Sequence, residues 1–532
     1  MAVRCAAALC ALLLLSFSGL ALSDASPSTP VSPSAACNAT TDPTFCRSVL
    51  PQTGKWDLYT YGRFSVAESL AGARKFAALV DRYLARHRHL SPSAIGALRD
   101  CQLMAELNVD FLSSAGATIR ATDTLLDPQA DDAASGAWSD RGGLDAPIAN
   151  GTKIYSLSLS LFTRAWVPTA KKAGHSHKGG GGGGKGGHHG HSGKHKKAPA
   201  RRGLFDVTDD EMVRRMAIEG PERTVAVNTV VTVDQSGAGN FTTVGDAMAA
   251  APRNLDGSGG YYLIYVLAGV YEENVMVPKH SKYIMMVGDG IGQTVITGNR
   301  SVVDGWTTFQ SATFAVVGQG FVAMNMTFRN TAGPAKHQAV ALRPGADLSA
   351  FYSCSFEAFQ DTLYTHSLRQ FYRGCDVYGT VDYVFGNAAV VFQGCTFYSR
   401  LPMQGQSNTV TAQGRSDPNQ NTGTSIQGCA LVPAPEVAAN TAFTTLTYLG
   451  RPWKNFSRTV VMESYVRGLV DPAGWMPWSG DFALDTLYYA EYNNTGPGAD
   501  TSRRVAWPGY HVLGDGADAG NFTVTSMVLG DN

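Results

Sequence analysis

From Ala226 onward, the hydrophobic residues come in short bursts of β-branched and aromatic side chains separated by Gly, Asn and Asp, and the bursts recur at nearly constant spacing. AFYSCSFEAF from Ala350, FYRGCDVYG from Phe371 and VVFQGCTFYS from Val390 are the clearest copies, with cysteines at 354, 375 and 395. VAMNMTFRN from Val322 and TSIQGCALV from Thr424 continue the series with longer insertions. Strand-forming composition at a period of about 20 residues predicts a parallel β-helix, whose rungs take about that many residues and pair about 4.8 Å apart. The same strands in another all-β arrangement are the alternative. Upstream the pattern changes to three- and four-residue steps: Phe76, Leu79, Val80, Tyr83 and Leu84, then Leu98, Cys101, Met104, Leu107 and Phe111 behind a Ser91-Pro92 start. Those steps predict amphipathic helices and a small all-α bundle over residues 37–168. SLSLSLF from Ser156 alternates with period two and in isolation reads as a strand. GNFTTVGDAMAAAP from Gly239 predicts a short helix covering the open end of the solenoid.

Two further segments carry no core. Between Lys171 and Arg202 lie 11 Gly, 6 His and 9 Lys or Arg with no acid, which predicts a flexible linker within residues 169–225. Its histidines and cations could chelate a metal or lie along an acidic polymer, but an inert linker is the simpler reading. At the N-terminus Arg4 precedes an apolar run from Cys5 to Leu22 and then a small, polar stretch, the order of a secretory signal over residues 1–24. An uncleaved anchor is the alternative, and either form places the globular part outside the cytosol. Eight Asn-x-Ser/Thr sequons suit a secreted glycoprotein. The chain is formally neutral, yet residues 226–532 hold 17 basic and 23 acidic side chains, and the basic excess upstream sits in a Gly-rich run without interleaved aromatics. A nucleic-acid partner is therefore not expected.

The chemistry lies in the solenoid. Asp361 in QDTLY and Asp382 in VDYVFGN are 21 residues apart, about one rung, so the two carboxylates should stack. Gln338 in QAVALR and Gln360 stand at comparable rung positions. Paired carboxylates beside neutral amide donors can run acyl transfer: one attacks, the other moves protons, and the amides hold the oxyanion. Two close carboxylates resist ionising together, so one pKa should rise, and Arg451 in LGRPW is the cation to keep the other charged. Seven cysteines remain after the signal, an odd number, and Cys375 with Cys395 is the expected disulfide. Cys395 with Cys429 is the runner-up. Any single Asp in a turn is more often a turn former than a catalyst, and Tyr364, Phe385, Trp453 and Trp475 could equally be packing residues; the set and its spacing carry the inference.

At GVYEENV (Gly269 to Val275), QAVALR, QDTLY, VDYVFGNAAVVFQ and LGRPW, in that order, the chain resembles the plant-type pectin methylesterases. The resemblance implies an all-β right-handed parallel β-helix over residues 226–532, hydrolysing C6 methyl esters of galacturonosyl units to methanol and acidic pectin as a secreted cell-wall monomer, with no cofactor and no metal. It assigns Asp382 as nucleophile, Asp361 as acid then base, Gln360 and Gln338 as oxyanion donors and Arg451 as the group that orients Asp382. Thr308, Gln338, Tyr364, Phe385, Arg451, Trp453 and Trp475 would contact the sugar. DYVFG replaces the family's usual DFIFG. The helical region resembles the inhibitor-like pro-region that precedes many such enzymes, with Cys37 and Cys46 in its pattern. The family's fourth cysteine of that region has no counterpart here, which leaves Cys101 expected to be unpaired. Arg214-Arg215 sits at the family's processing position, a site for a convertase, although Met216-Ala217 replaces the usual leucines. A polygalacturonase or lyase lacks its Gly-His-Gly or calcium-binding acids in this chain, and a non-catalytic pectin-binding wall protein is separated by methanol release.

Overall fold

The structure is a computed structural model, and it describes residues 30–38, 40–53, 56–86, 90–121, 145–166 and 225–529. The apolar N-terminal run, the Gly/His linker and Arg214-Arg215 lie outside the described residues. Among the described residues no helix is long and apolar enough to cross a membrane.

Residues 227–512 wind as a parallel β-helix of three sheets with 11, 7 and 8 strands, and every strand-to-strand pairing is parallel. Phe371 pairs with Val391, Asp376 with Thr396 and Leu363 with Val384, so each rung lays equivalent side chains on the one before. The interior fills with aligned aromatics: Phe351 on Tyr372 at 4.8 Å and Tyr372 on Phe392 at 4.5 Å between ring centroids. In-register stacking explains the near-continuous apolar strands, since both faces of several are buried.

One turn between sheets is made by a single left-handed residue that precedes each cysteine copy: Ser353, Gly374, Gly394 and Gly428 all have φ between 49° and 61°. This conformation is why Gly recurs there in the sequence. The cysteines that follow form a buried column, and Cys354, Cys375, Cys395 and Cys429 are all free thiols. The expected Cys375–Cys395 disulfide is therefore absent, and so is the alternative with Cys429. Rung spacing of about 4.8 Å would allow a bridge, but each sulfur faces a carbonyl of the preceding rung, Cys375 Sγ to Phe351 O at 3.5 Å and Cys395 Sγ to Tyr372 O at 3.6 Å. The backbone amide of Cys375 instead donates to the Cys395 sulfur at 3.4 Å, and that of Cys395 to Cys429 at 3.3 Å.

The N-terminal part comprises α1 (Pro33–Cys37), α2 (Pro43–Val49), α3 (Leu58–Arg86), α4 (Pro92–Ala121) and α5 (Asp145–Trp166). Cys37 is bonded to Cys46, clamping α1 to α2, and Cys101 is disulfide-bonded rather than unpaired. The Ser/Leu alternation expected as a strand lies inside α5. Leu157, Leu159, Ser158 and Ser160 are all buried, so period two marks no solvent face, and Ser158 meets Ser69 of α3 at 2.7 Å. The Ser91 hydroxyl accepts from Ala94 N at 3.2 Å, an N-cap that starts α4 where the sequence expects it. The short helix α6 (Val244–Ala250) starts at the Thr243 cap, and its Val244, Ala247 and Met248 are buried at the end of the solenoid core.

The described residues up to Trp166 and those from Ala226 onward belong to one compact unit. The apolar stripe of α4 divides between them: Leu98, Cys101 and Met104 join the bundle core, while Leu103, Leu107 and Phe111 pack against Val317 and Leu368 of the solenoid.

Candidate active site

The seven-stranded sheet builds the site. Leu342 pairs with Leu363 and Leu363 with Val384, a step of 21 residues, so Asp361 and Asp382 occupy equivalent places two residues before their strands. On the same step Gln338 falls one residue short of Gln360, yet both line the cleft. Asp361 and Asp382 have φ of 63° and 52°. The left-handed region is uncommon outside glycine and tolerated by Asp, and such strain collects where side chains must be aimed. Both carboxylates are buried, at 8 % and 6 % exposure.

Their environments differ. Arg451 Nε and Nη2 each donate to one oxygen of Asp382 at 2.7 Å, a bidentate pair, and the Thr409 hydroxyl adds a bond to Oδ1 at 2.7 Å. Strand pairing delivers both partners: Thr409 lies two residues before Thr411, the partner of Val384, and Arg451 follows Gly450, the partner of Thr411. Such charge-assisted bidentate bonds are short and fix the carboxylate's orientation. Burial pushes the Asp361 carboxyl well above the usual range; the neighbouring Asp382 charge adds to this, and Arg451 opposes it. The result is one carboxylate clamped by a cation beside one acid whose proton burial makes harder to remove. Gln360 Oε1 is buried with no hydrogen-bond partner among the described residues, so its amide is not tied up on that side.

The cleft, of about 520 Å³, is lined by Thr308, Gln338, Gln360, Asp361, Tyr364, Asp382, Phe385, Arg451 and Trp453. Tyr364 and Phe385 stack at 4.1 Å, and Trp453 stands edge-on to them at 6.4 and 6.0 Å. A Cβ at Gly414 would come within 2.7 Å of the Trp453 ring, so glycine there lets the indole settle on the backbone. Trp475 is placed elsewhere, 1 % exposed in the solenoid core, stacked on Tyr489 at 4.3 Å with its N–H directed to Glu491 at 3.3 Å. Trp478 lines the cleft instead, and the Arg451 guanidinium lies 4.4 Å from its ring centre. The two tryptophans share the segment WMPW, and burial alone separates them. Trp306, Thr307 and Phe309 also line the cleft, as do Ala97, Asp100 and Met104 of α4; sequence spacing gave no signal for these.

Two consequences can be measured. Asp361 has a folded-state pKa above its unfolded value near 4, so its contribution to stability is lost as pH rises from there through the folded pKa. Asp361→Asn removes that loss, and its Tm at neutral pH should exceed the parent's by a few degrees, with the gap closing at about pH 4. A constant gap would assign the gain to packing. Arg451 lowers the Asp361 pKa, so Arg451→Ala should move the alkaline limb of the pH–rate profile to higher pH and cut turnover on the order of a hundredfold or more. An unmoved limb would deny that Arg451 tunes the acid.

A parallel β-helix with a cleft that sets an Arg-paired aspartate beside a second buried aspartate suits a carboxylic ester hydrolase. The Pectinesterase family model matches residues 229–531, and the model for plant invertase/pectin methylesterase inhibitor matches residues 32–141. The chain belongs to the pectinesterase family. It is 52 % identical to "Probable pectinesterase/pectinesterase inhibitor 41" of Arabidopsis thaliana over 94 % of this chain and 92 % of that protein. "Probable pectinesterase/pectinesterase inhibitor 20" of the same plant is 53 % identical, over 94 % and 91 %. The solved structure of pectin methylesterase from carrot is 54 % identical, covers 58 % of this chain and 95 % of its own, and superposes with a TM-score of 0.55.

Proposed function

We propose that this enzyme hydrolyses the C6 methyl esters of pectin in the plant cell wall by a covalent mechanism on the two aspartates. The observation that carries the proposal is the difference in setting between Asp382, held by Arg451 and Thr409, and Asp361, buried beside it with its pKa pushed up by burial. An oxygen of Asp382 adds to the ester carbonyl carbon, and the amides of Gln360 and Gln338 donate to the oxyanion. Collapse breaks the C–OCH3 bond, and Asp361 gives its proton to the departing methoxide, leaving methanol and an acyl-Asp382 anhydride. Asp361, now a carboxylate, takes a proton from water as the oxygen adds to the same carbon. Expulsion of Asp382 frees the galacturonate. No step requires a metal or an organic cofactor.

The stacked aromatics Tyr364 and Phe385, with Trp453, give sugar faces a surface beside the reacting carbon. The helical part serves as an intramolecular inhibitor, since α4 contributes Ala97, Asp100 and Met104 to the same cleft. Cleavage after Arg215 by a secretory-pathway protease would separate it, and N-terminal sequencing of the secreted form, expected to begin at Met216, tests that step. Methanol release from highly methylated pectin by residues 216–532 tests the activity. A folded domain that binds pectin and releases no methanol would instead make this a wall-binding protein.

A further inference from the structure

At the C-terminal end of the solenoid a carboxylate stands in the core. Glu491 lies on the strand Tyr488–Tyr492, two residues after Tyr489 of the apolar core, and its side chain and that of Arg504 are each 2 % exposed. Arg504 holds it with two arms of the guanidinium, Nε to Oε1 at 2.7 Å and Nη2 to Oε2 at 3.0 Å. The Tyr510 hydroxyl and the Trp475 indole N–H also donate to Oε1, at 3.0 and 3.3 Å. Arg504 reaches further to Gly498 O at 2.7 Å and Pro472 O at 3.2 Å. A buried pair of this kind commonly stabilises no better than apolar side chains of like volume. What it adds is direction, since two parallel bonds fix where both groups lie.

The pair fixes the segment that backs Arg451. The strand Thr447–Gly450 is the last of its sheet, and residues 470–476 close its outer edge. Asp471 N donates to Thr447 O at 2.8 Å, Leu449 N to Gly474 O at 2.8 Å and Met476 N to Gly450 O at 3.0 Å. Gly474 has φ of 72°, and a Cβ there would come within 2.3 Å of Arg504 Cδ, so glycine lets Arg504 lie against the backbone where that pairing is made. Trp475 is held at its N–H by Glu491 and stacks on Tyr489, whose hydroxyl meets that of Ser457 at 2.9 Å. Three residues on, Trp478 lies over the Arg451 guanidinium, and Arg451 itself directly follows Gly450. A bidentate ion pair therefore stands at each end of this path, Glu491 with Arg504 in the core and Asp382 with Arg451 in the cleft.

We propose that Glu491 and Arg504 are positioning residues for the reaction: through Trp475 they hold the segment Gly474–Trp478 against the strand Thr447–Gly450, and so set the angle at which Arg451 presents its fork to Asp382. This rests on the two-aspartate reading above. The direction in which a carboxylate can attack follows the fork that holds it, and a displacement of about 1 Å at a reacting group can cost about a hundredfold in rate. An apolar plug at this rung would seal the core equally well. It would leave the segment free to slide along its neighbour, because apolar burial is non-directional and selects no register. Trp475, expected from the sequence to face the sugar, thus serves the site from beneath.

The experiment separates sealing the core from aiming Arg451, and uses residues 216–532. That part stands alone as a fold, because the carrot enzyme's solved chain is 95 % covered by 58 % of this one at 54 % identity. Arg504→Met alone strands a buried carboxylate and should lower the Tm sharply. Adding Glu491→Leu removes both charges and should return the Tm to within a few degrees of the parent's. In that double variant kcat on methylated pectin should nevertheless stay down on the order of tenfold, with KM within about threefold of the parent's. The alkaline limb of its pH–rate profile should move toward that of Arg451→Ala, which loss of stability alone would not cause. Trp475→Phe keeps the ring stack and loses the N–H bond, so it should show the same changes at smaller size, and it decides the matter if the double variant does not fold. The aim itself is read by NMR on protein carrying isotope-labelled arginine: the Arg451 Nε–H signal, assigned with Arg451→Lys, should be displaced in both variants. Parental kcat, limb and Nε–H signal in a folded variant would reduce the pair to a core plug and overturn the proposal. Absent methanol release by the parent would remove the hydrolase reading, while a displaced Nε–H signal would still uphold the aiming of Arg451 and an unmoved one would sink it.

Discussion

Asp382→Asn is expected to retain the fold and lose methanol release by a factor on the order of 10⁴ or more, as is usual when a covalent nucleophile is removed. The amide keeps the shape of the carboxylate and can still accept from Thr409, while one face of Arg451 loses its partner. A nucleophile cannot be replaced by positioning alone, so residual activity should reflect the amides and the cleft walls. Asp361→Asn should be comparably inactive in the acylation step, because an amide offers no proton to methoxide. The two variants differ in what accumulates. With Asp361→Asn, Asp382 remains competent to attack, so an activated ester with a better leaving group than methoxide should regain part of the rate and trap the acyl-enzyme, visible as a mass increase on the intact protein. The same ester should do nothing for Asp382→Asn. Rescue of Asp382→Asn would exchange the two roles.

The second large effect is expected from removing the helices. Residues 216–532 should release methanol on the order of a thousandfold faster than the intact chain at equal concentration. A tether supplies an effective concentration in the millimolar range, so even a micromolar contact closes the cleft almost completely. Leu107, buried against Val317 and Leu368, lies in the contact rather than in the bundle core, so Leu107→Asp in the intact chain should recover much of that activity without melting the bundle. Equal activity of intact and shortened chains would mean that α4 swings clear of the cleft in solution.

The rung was legible in the sequence because a parallel β-helix repeats in the chain what it repeats in space. Equal steps between Asp361 and Asp382, and the recurrent Gly-Cys pairs, translate directly into stacked positions. Arg451 was legible through its motif, although only pairing of Thr411 with Gly450 explains why it reaches Asp382. Likewise the stripe on α4 announced a helix, and the Ser91 cap marked its start.

What tertiary structure alone decided are the matters that depend on which of several similar groups is buried, and where. Trp475 and Trp478 are chemically alike and three residues apart, but one is sealed under Glu491 and the other lies over Arg451. Four cysteines at rung spacing suggested bonding, yet their sulfurs engage backbone groups of the adjoining rungs and all four stay free. Ser/Leu alternation in α5 has a strand's period, and burial on every side makes a helix of it. The division of the α4 stripe between two cores and the capture of Asp100 by Thr307 and Gln310 join positions more than 200 residues apart. Local periodicity reports the conformation of a segment and the face it hides; it holds no information on which distant surface that face will meet, because that is settled by shape and desolvation when the parts come together.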